Sequence, residues 1–214
     1  VYPDLGNYRL RGRVEGNQVV PYWSRSDIDG KARPLAGQEL FWVADPVELF
    51  FLQIQGSGRI LLDNGERVMV NYADQNGHPY KSIGKYLIDR GAMSRDQMSM
   101  QNIQSWVRAH PSELGNVLNQ NPSYVFFREL GGDVQSPPGA LGVPLTPGRS
   151  LAVDRRHIPL GAPVFIETTW PGSDQKLQRL MMAQDTGGAT QDGSKICRRI
   201  KFQSLCNAKA VTQR

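Results

Sequence analysis

Cysteine is almost missing from this chain. Its two cysteines, Cys197 and Cys206, both lie beyond residue 189. The first 189 residues therefore hold no disulfide and no thiolate metal site, which leaves the redox compartment open. Histidine is nearly as scarce: His78, His110 and His157 are the only three, and no two stand at ligand spacing. Metal is therefore not expected. No apolar run is long enough to cross a bilayer, and no signal peptide opens the chain. The opening Val1-Tyr2-Pro3-Asp4 reads as mid-protein sequence, so an upstream segment is expected.

The main body also lacks an excess of charge. Of the net +5, all falls in 190–214, where Lys195, Arg198, Arg199, Lys201, Lys209 and Arg214 face Asp192 alone. The balanced body argues against a nucleic-acid surface; a basic nucleic-acid binder would rest on the tail alone. A Walker motif is absent too. Gln55-Gly56-Ser57-Gly58 has no lysine and is not a Gly-x-Ser-x-Gly elbow. A triad of Ser57 with His78 or His157 can be drawn, but composition alone does not support one.

What is present is glycine and proline, 22 and 14 residues, which favours many turns and a mainly β chain. Residues 12–20 alternate weakly and read as strand, with a turn at Gly16-Asn17. Strand is also expected over 40–44. The run 47–55 alternates Phe50, Leu52 and Ile54 against Phe51, Gln53 and Gln55, which predicts a strong strand with a polar face. Asp63-Asn64-Gly65 signals a hairpin between strands 59–62 and 67–72. Residues 73–80 read as a polar loop. Ser82, Ser99 and Ser112 each precede a short helical pattern. Strand returns at 124–130, a Gly- and Pro-rich crossing spans 131–150, and strands are expected at 151–154, 163–169 and 177–184, part of a small barrel.

The stretch 180–189, Leu-Met-Met-Ala-Gln-Asp-Thr-Gly-Gly-Ala, ends a strand on the carboxylate of Asp185 beside the bare backbone of Gly187 and Gly188. Such a lip suits acid–base work on a bulky ligand, or it caps a turn. Gln53, Gln55 and Ser57 on one lane, with Tyr72 and Asp74 beside it, fit a glycan groove or an ordinary solvated face.

Four motifs go further. Residues 45–58 (Asp-Pro-Val-Glu-Leu-Phe-Phe-Leu-Gln-Ile-Gln-Gly-Ser-Gly), 72–85 (Tyr-Ala-Asp-Gln-Asn-Gly-His-Pro-Tyr-Lys-Ser-Ile-Gly-Lys), 120–127 (Gln-Asn-Pro-Ser-Tyr-Val-Phe-Phe) and 183–189 (Ala-Gln-Asp-Thr-Gly-Gly-Ala) together resemble the membrane-bound lytic murein transglycosylase A family. The resemblance implies a double-psi β-barrel carrying an inserted, smaller β-rich domain with short helices. It divides the chain into a barrel-strand remnant (1–10), the insert (11–139), the C-terminal part of the barrel (140–189) and an aberrant basic tail (190–214). It implies non-hydrolytic cleavage of the MurNAc–GlcNAc β-1,4 bond of peptidoglycan glycan strands, closing a 1,6-anhydro ring, with no cofactor. By the same resemblance Gln53, Gln55, Gly56, Ser57, Gly58, Tyr72, Asp74, Gly187 and Gly188 would bind substrate. Asp185 would be the catalytic-site carboxylate, in a supporting role. The family's run reaches a second aspartate, the usual acid, where this chain has Ile196 and Cys197. The expectation is an impaired transglycosylase or a non-catalytic glycan-binding module. The implied location is the periplasmic face of the outer membrane, held only through an anchor that this chain does not contain.

Overall fold

The computed structural model describes residues 11–131, 136–170 and 173–186, and the backbone of 207–211. The expected barrel remnant at 1–10, Gly187, Gly188 and most of the basic tail lie outside the described residues.

Strand content exceeds helix, and the chain is mainly β. A hairpin of β1 (Gly12–Glu15) and β2 (Gln18–Pro21) turns at Gly16, whose φ is +57°. A short helix α1 (Arg25–Ile28) follows, with Ser24 and Asp27 forming a reciprocal cap. β3 is only Trp42–Val43.

The run expected to be the strongest strand is a helix, α2 (Pro46–Gln55). The physical reason is at its ends and along its faces. Asp45 Oδ1 accepts from Val47 N at 2.8 Å and Glu48 N at 3.4 Å, and Pro46 takes the first turn. Gly56 stops it in the left-handed region at φ +78°, its N–H returning to Leu52 O. Val47, Phe50, Phe51 and Ile54 fall at helical spacing and pack against α3 (Ile83–Asp89), α4 (Met100–Ala109) and α5 (Leu114–Asn119). Leu52 points the other way, onto Ile60 and Val70 of the sheet. A helix buried on two sides hides its period, and apparent alternation can then pass for strand. Burial alone would raise the Asp45 carboxyl, but the Arg108 guanidinium and the cap N–H groups outweigh it and hold it below the ordinary range.

β4 (Ser57–Leu61) and β5 (Arg67–Gln75) form the expected hairpin, turning at Gly65 with φ +85°. β5 runs three residues beyond the expected end, because β6 (Val125–Leu130) pairs with it from Met69 to Gln75. Ser82 and Ser99 cap α3 and α4 as the sequence implies. Ser112 does not cap α5; it sits inside a 3-10 turn, Pro111–Glu113. The sheet order is β3-β10-β4-β5-β6, with β10 (Asn207–Val211) parallel to β4.

A separate three-stranded sheet holds β7 (Ser150–Val153), β8 (Pro163–Thr169) and β9 (Lys176–Thr186), ordered β7-β9-β8. Leu151, Val153, Ile166, Met181 and Ala183 form its core. After β7, Asp154 holds a turn: Oδ1 accepts from Arg156 N at 2.9 Å, and its carbonyl accepts from His157 and Ile158. The Arg156 guanidinium holds the Asp154 carboxyl far below the usual carboxylate range. A carboxyl lowered on folding lends stability above its unfolded value of about 4, and loses it as pH falls. Arg156→Ala is therefore expected to lower the melting temperature at neutral pH, with the difference closing toward strongly acid pH. Thermal melts across pH check this, and a difference that persists undiminished in acid would exclude the pair as its cause.

Candidate functional site

Two bulges flank the site. In β5 the register slips between Tyr72 and Asp74, leaving Ala73 as an extra residue. In β9 it slips so that Leu151 faces Ala183 while Ala152 faces Asp185, leaving Gln184 extra. A bulge bends its strand and re-aims the side chains beside it. Asp185 thus lies inside β9 rather than just past its end, a correction to the expected strand 177–184. Its position one residue beyond the bulge still sets it apart from the regular pleat.

Asp185 is held from the chain that crosses in front of it. Ala140 N donates to Asp185 Oδ1 at 3.1 Å, and Leu141 N donates to Gln184 O at 3.0 Å. The Gln184 side chain is fixed by the Ser150 hydroxyl, which in turn accepts from Thr146 N at 2.7 Å. The crossing segment also reaches the other sheet: Asn71 Nδ2 donates to Pro138 O at 3.4 Å. Asn71 is the register partner of Ser57. The polar end of the β4–β5 hairpin and the Asp185 carboxylate are therefore joined through one short strap.

The predicted lane of glutamines is divided by the helix. At about 100° per residue, Gln53 and Gln55 point to different sides. Gln53 is only 4% exposed and donates from Nε2 to Val125 O at 3.2 Å. It sits inside the junction of α2 and β6 and has almost no surface to offer a ligand. Gln55 is half-buried, its Nε2 3.9 Å from Met100 Sδ. Gly56 joins α2 to β4, and its carbonyl accepts from Tyr72 N at 2.6 Å. Ser57 and Gly58 are buried at the start of β4. Tyr72 is exposed beside them. Asp74 Oδ1 takes Arg11 at 2.9 Å from Nη2 and 3.2 Å from Nε, and that pairing raises the Arg11 guanidinium above its ordinary value.

His78 Nε2 lies 2.7 Å from Tyr22 O, and His157 Nδ1 lies 3.5 Å from Asp154 Oδ2. Among the described residues no group of three or more His, Cys, Asp and Glu side chains is placed to hold a metal ion.

Several residues that matter here were not singled out by the sequence reading. Asn76, 1% exposed, donates from Nδ2 to Trp23 O at 2.9 Å and Pro122 O at 2.8 Å, and accepts from Tyr124 N at 2.9 Å. Arg25, 3% exposed, donates to Asn121 O and Ser123 O and lies over the rings of Phe50 and Tyr124. Burial lowers its guanidinium from the ordinary value. The signal available was that Asn76 and Asn121 sit inside quoted motifs; their partners lie too far along the chain to be read.

Residues 2–128 match the MltA specific insert domain, which is more than half of the chain. The chain belongs to the membrane-bound lytic murein transglycosylase A family. A second match, the 3D domain, covers residues 149–196 and so contains β7, β8 and β9. Membrane-bound lytic murein transglycosylase A of Vibrio cholerae is 34% identical over 193 residues, covering 86% of this chain and 51% of that protein. The crystal structure of a membrane-bound lytic murein transglycosylase from Agrobacterium tumefaciens is 34% identical with a TM-score of 0.75, covering 94% of this chain and 53% of that one. Escherichia coli MltA crystallised with bound chitohexaose is 31% identical with a TM-score of 0.71, covering 94% and 61%. The chain thus spans about half the length of the curated relatives that it matches. Among the described residues no helix is long and apolar enough to cross a membrane.

Proposed function

We propose that this chain is the glycan-handling part of a peptidoglycan lytic transglycosylase. The observation that carries the reading is the strap that ties the β4–β5 hairpin to Asp185, so that the hairpin and a carboxylate are held in one frame. A relative of the same fold with chitohexaose bound supports a β-1,4 glycan as the ligand. In this reading β7, β8 and β9 are part of a double-psi β-barrel, and the helix-bearing sheet is its insert. Tyr72 and Asp74 line the path of the glycan strand, with Gly56, Ser57 and Gly58 shaping the wall behind them. Gly187 and Gly188, two and three residues after Asp185 in the sequence, belong to the same proposed glycan-binding set.

The reaction needs one acid. It protonates the glycosidic oxygen as the C1–O bond of MurNAc breaks. Its conjugate base then takes the proton of the C6 hydroxyl, and O6 closes on C1 to give the 1,6-anhydro product. Asp185 orients the substrate beside that acid. Because Ile196 and Cys197 stand where the family places its second aspartate, turnover is impaired in this chain while binding is retained. The place of action is the periplasmic face of the outer membrane.

Incubation with purified sacculi, followed by mass spectrometry of the soluble fraction, tests both parts. The expected result is co-sedimentation with sacculi and little or no 1,6-anhydromuropeptide. Release at the rate of a full-length relative would overturn the impairment. Failure to bind either sacculi or chitohexaose would overturn the reading as a whole.

A further inference from the structure

Pro137 to Leu145 form a tight excursion between the two sheets. Gly139 N donates to Val143 O at 3.0 Å, Gly142 N to Gly139 O at 2.8 Å, and Leu145 N to Pro137 O at 3.0 Å. Pro138 and Pro144 face each other as an isolated bridge. The excursion is anchored at its base: Leu145 is 7% exposed and Pro137 is fully buried. At its tip it is pressed onto β9. A Cβ placed on Gly139 would lie 2.4 Å from Gln184 O and 2.6 Å from the Leu145 side chain. No side chain fits there, which explains glycine at a position whose φ does not demand it.

Three contacts follow in sequence along this strap. Pro138 O accepts from Asn71, Gly139 seats against Gln184, and Ala140 N donates to the carboxylate of Asp185. Asn71 is 8% exposed, sits in the middle of β5, and pairs in register with Ser57. A buried amide in a sheet is kept only where its hydrogen-bonding groups are used. Here one of them reaches out of its own sheet to the strap.

We propose that Asn71 is a positioning residue: through Pro138, Gly139 and Ala140 it sets the Asp185 carboxylate relative to the Ser57 end of the hairpin. The inference rests on the reading of Asp185 as part of a glycan site. It adds a coupling between the groove wall and the carboxylate. Strain introduced at the Ser57 end of the hairpin by a seated glycan is passed to Asp185 along the three strap residues Pro138, Gly139 and Ala140 rather than through solvent.

The test uses the full chain, labelled with 15N. The Ala140 amide reports its bond to Asp185 whether or not substrate is turned over, and Asp185→Ala defines its resonance without that acceptor. In Asn71→Ala the Ala140 amide is expected to move toward the Asp185→Ala position and to exchange faster with solvent. In Asn71→Gln, which keeps the amide donor, it is expected to move less. The Gly58 and Val70 amides report that the hairpin is intact. Should Asn71→Ala not fold, Asn71→Asp keeps the shape but lacks the amide donor to Pro138 O, and the same resonance is read with the same two outcomes. Where the chain releases anhydro product, the release rate is expected to fall by about tenfold to a hundredfold, as for a group misplaced by up to an ångström, with chitohexaose affinity kept within about twofold. An Ala140 resonance that stays in place in a folded Asn71→Ala overturns the coupling. So does a displaced resonance with an unchanged rate in an active chain. A displaced resonance in a chain that binds no chitohexaose leaves the coupling standing and removes the function proposed above instead.

Discussion

Asn76→Ala is expected to destabilise the chain by about 3–5 kcal/mol, since it deletes a buried amide and leaves several main-chain groups without their partner. The side chain uses nearly all of its capacity. Nδ2 satisfies the carbonyls of Trp23 and Pro122, and Oδ1 satisfies the N–H of Tyr124 and approaches that of His78 at 3.4 Å. It also sits at 1% exposure, so water has little access to replace it. The three segments that it joins are the end of the β1–β2 hairpin, the polar loop after β5, and the start of β6. Urea unfolding at neutral pH measures the loss. A change under about 1 kcal/mol would mean that water enters and restores the bonds, which the burial argues against. Asn76→Asp keeps the shape but lacks the donors, so it is expected to fall near the alanine variant and not near the wild type.

Arg25→Ala is expected to cost a similar amount, about 3–5 kcal/mol, because it strips a buried charge from acceptors that stay behind. Nε donates to Asn121 O at 3.1 Å and Nη2 to Ser123 O at 2.8 Å. Asp29 stands 3.7 Å from Nη1 and is itself raised by burial, with Arg25 pulling it down. The guanidinium plane lies 4.7 Å from the centre of Phe50 and 5.0 Å from that of Tyr124, so truncation also opens space between two rings. Arg25→Met refills the volume without the donors and is expected to recover less than half of the loss. Full recovery by methionine would show that packing, not hydrogen bonding, holds the residue there. Both substitutions act on the 121–124 segment that leads into β6, and so on the wall behind Gln53.

Much of the chain is legible from local signals. β8 is bounded as the alternation implies, and the hairpin turn at Asp63-Asn64-Gly65 is where the glycine demands it. Ser82 and Ser99 start their helices. These features are satisfied within a few residues of themselves, by a cap, a turn or a pleat. α2 carries the same kind of local signal, masked by burial on two sides. Val47, Phe50, Phe51 and Ile54 carry a helical period, and Asp45-Pro46 and Gly56 carry its two ends, but Leu52 broke the stripe because the sheet needs it too.

The site is another matter. Tyr72 and Asp74 are visible in a motif, yet the bulge at Ala73 exists only because β6 pairs with β5 across it. Asp185 is visible too, but its place depends on the extra residue Gln184 against β7. The Pro-Pro-Gly crossing reads simply as a connection; that it clamps a carboxylate emerges only once β9 is packed under Gly139. By itself the sequence determined the caps, the turns, the alternation of the exposed strands and the family motifs. Tertiary structure decided which polar groups meet, because their partners lie 45 residues apart for Ala140 and Asp185 and 67 for Asn71 and Pro138, and no local preference encodes a hydrogen bond over such a distance.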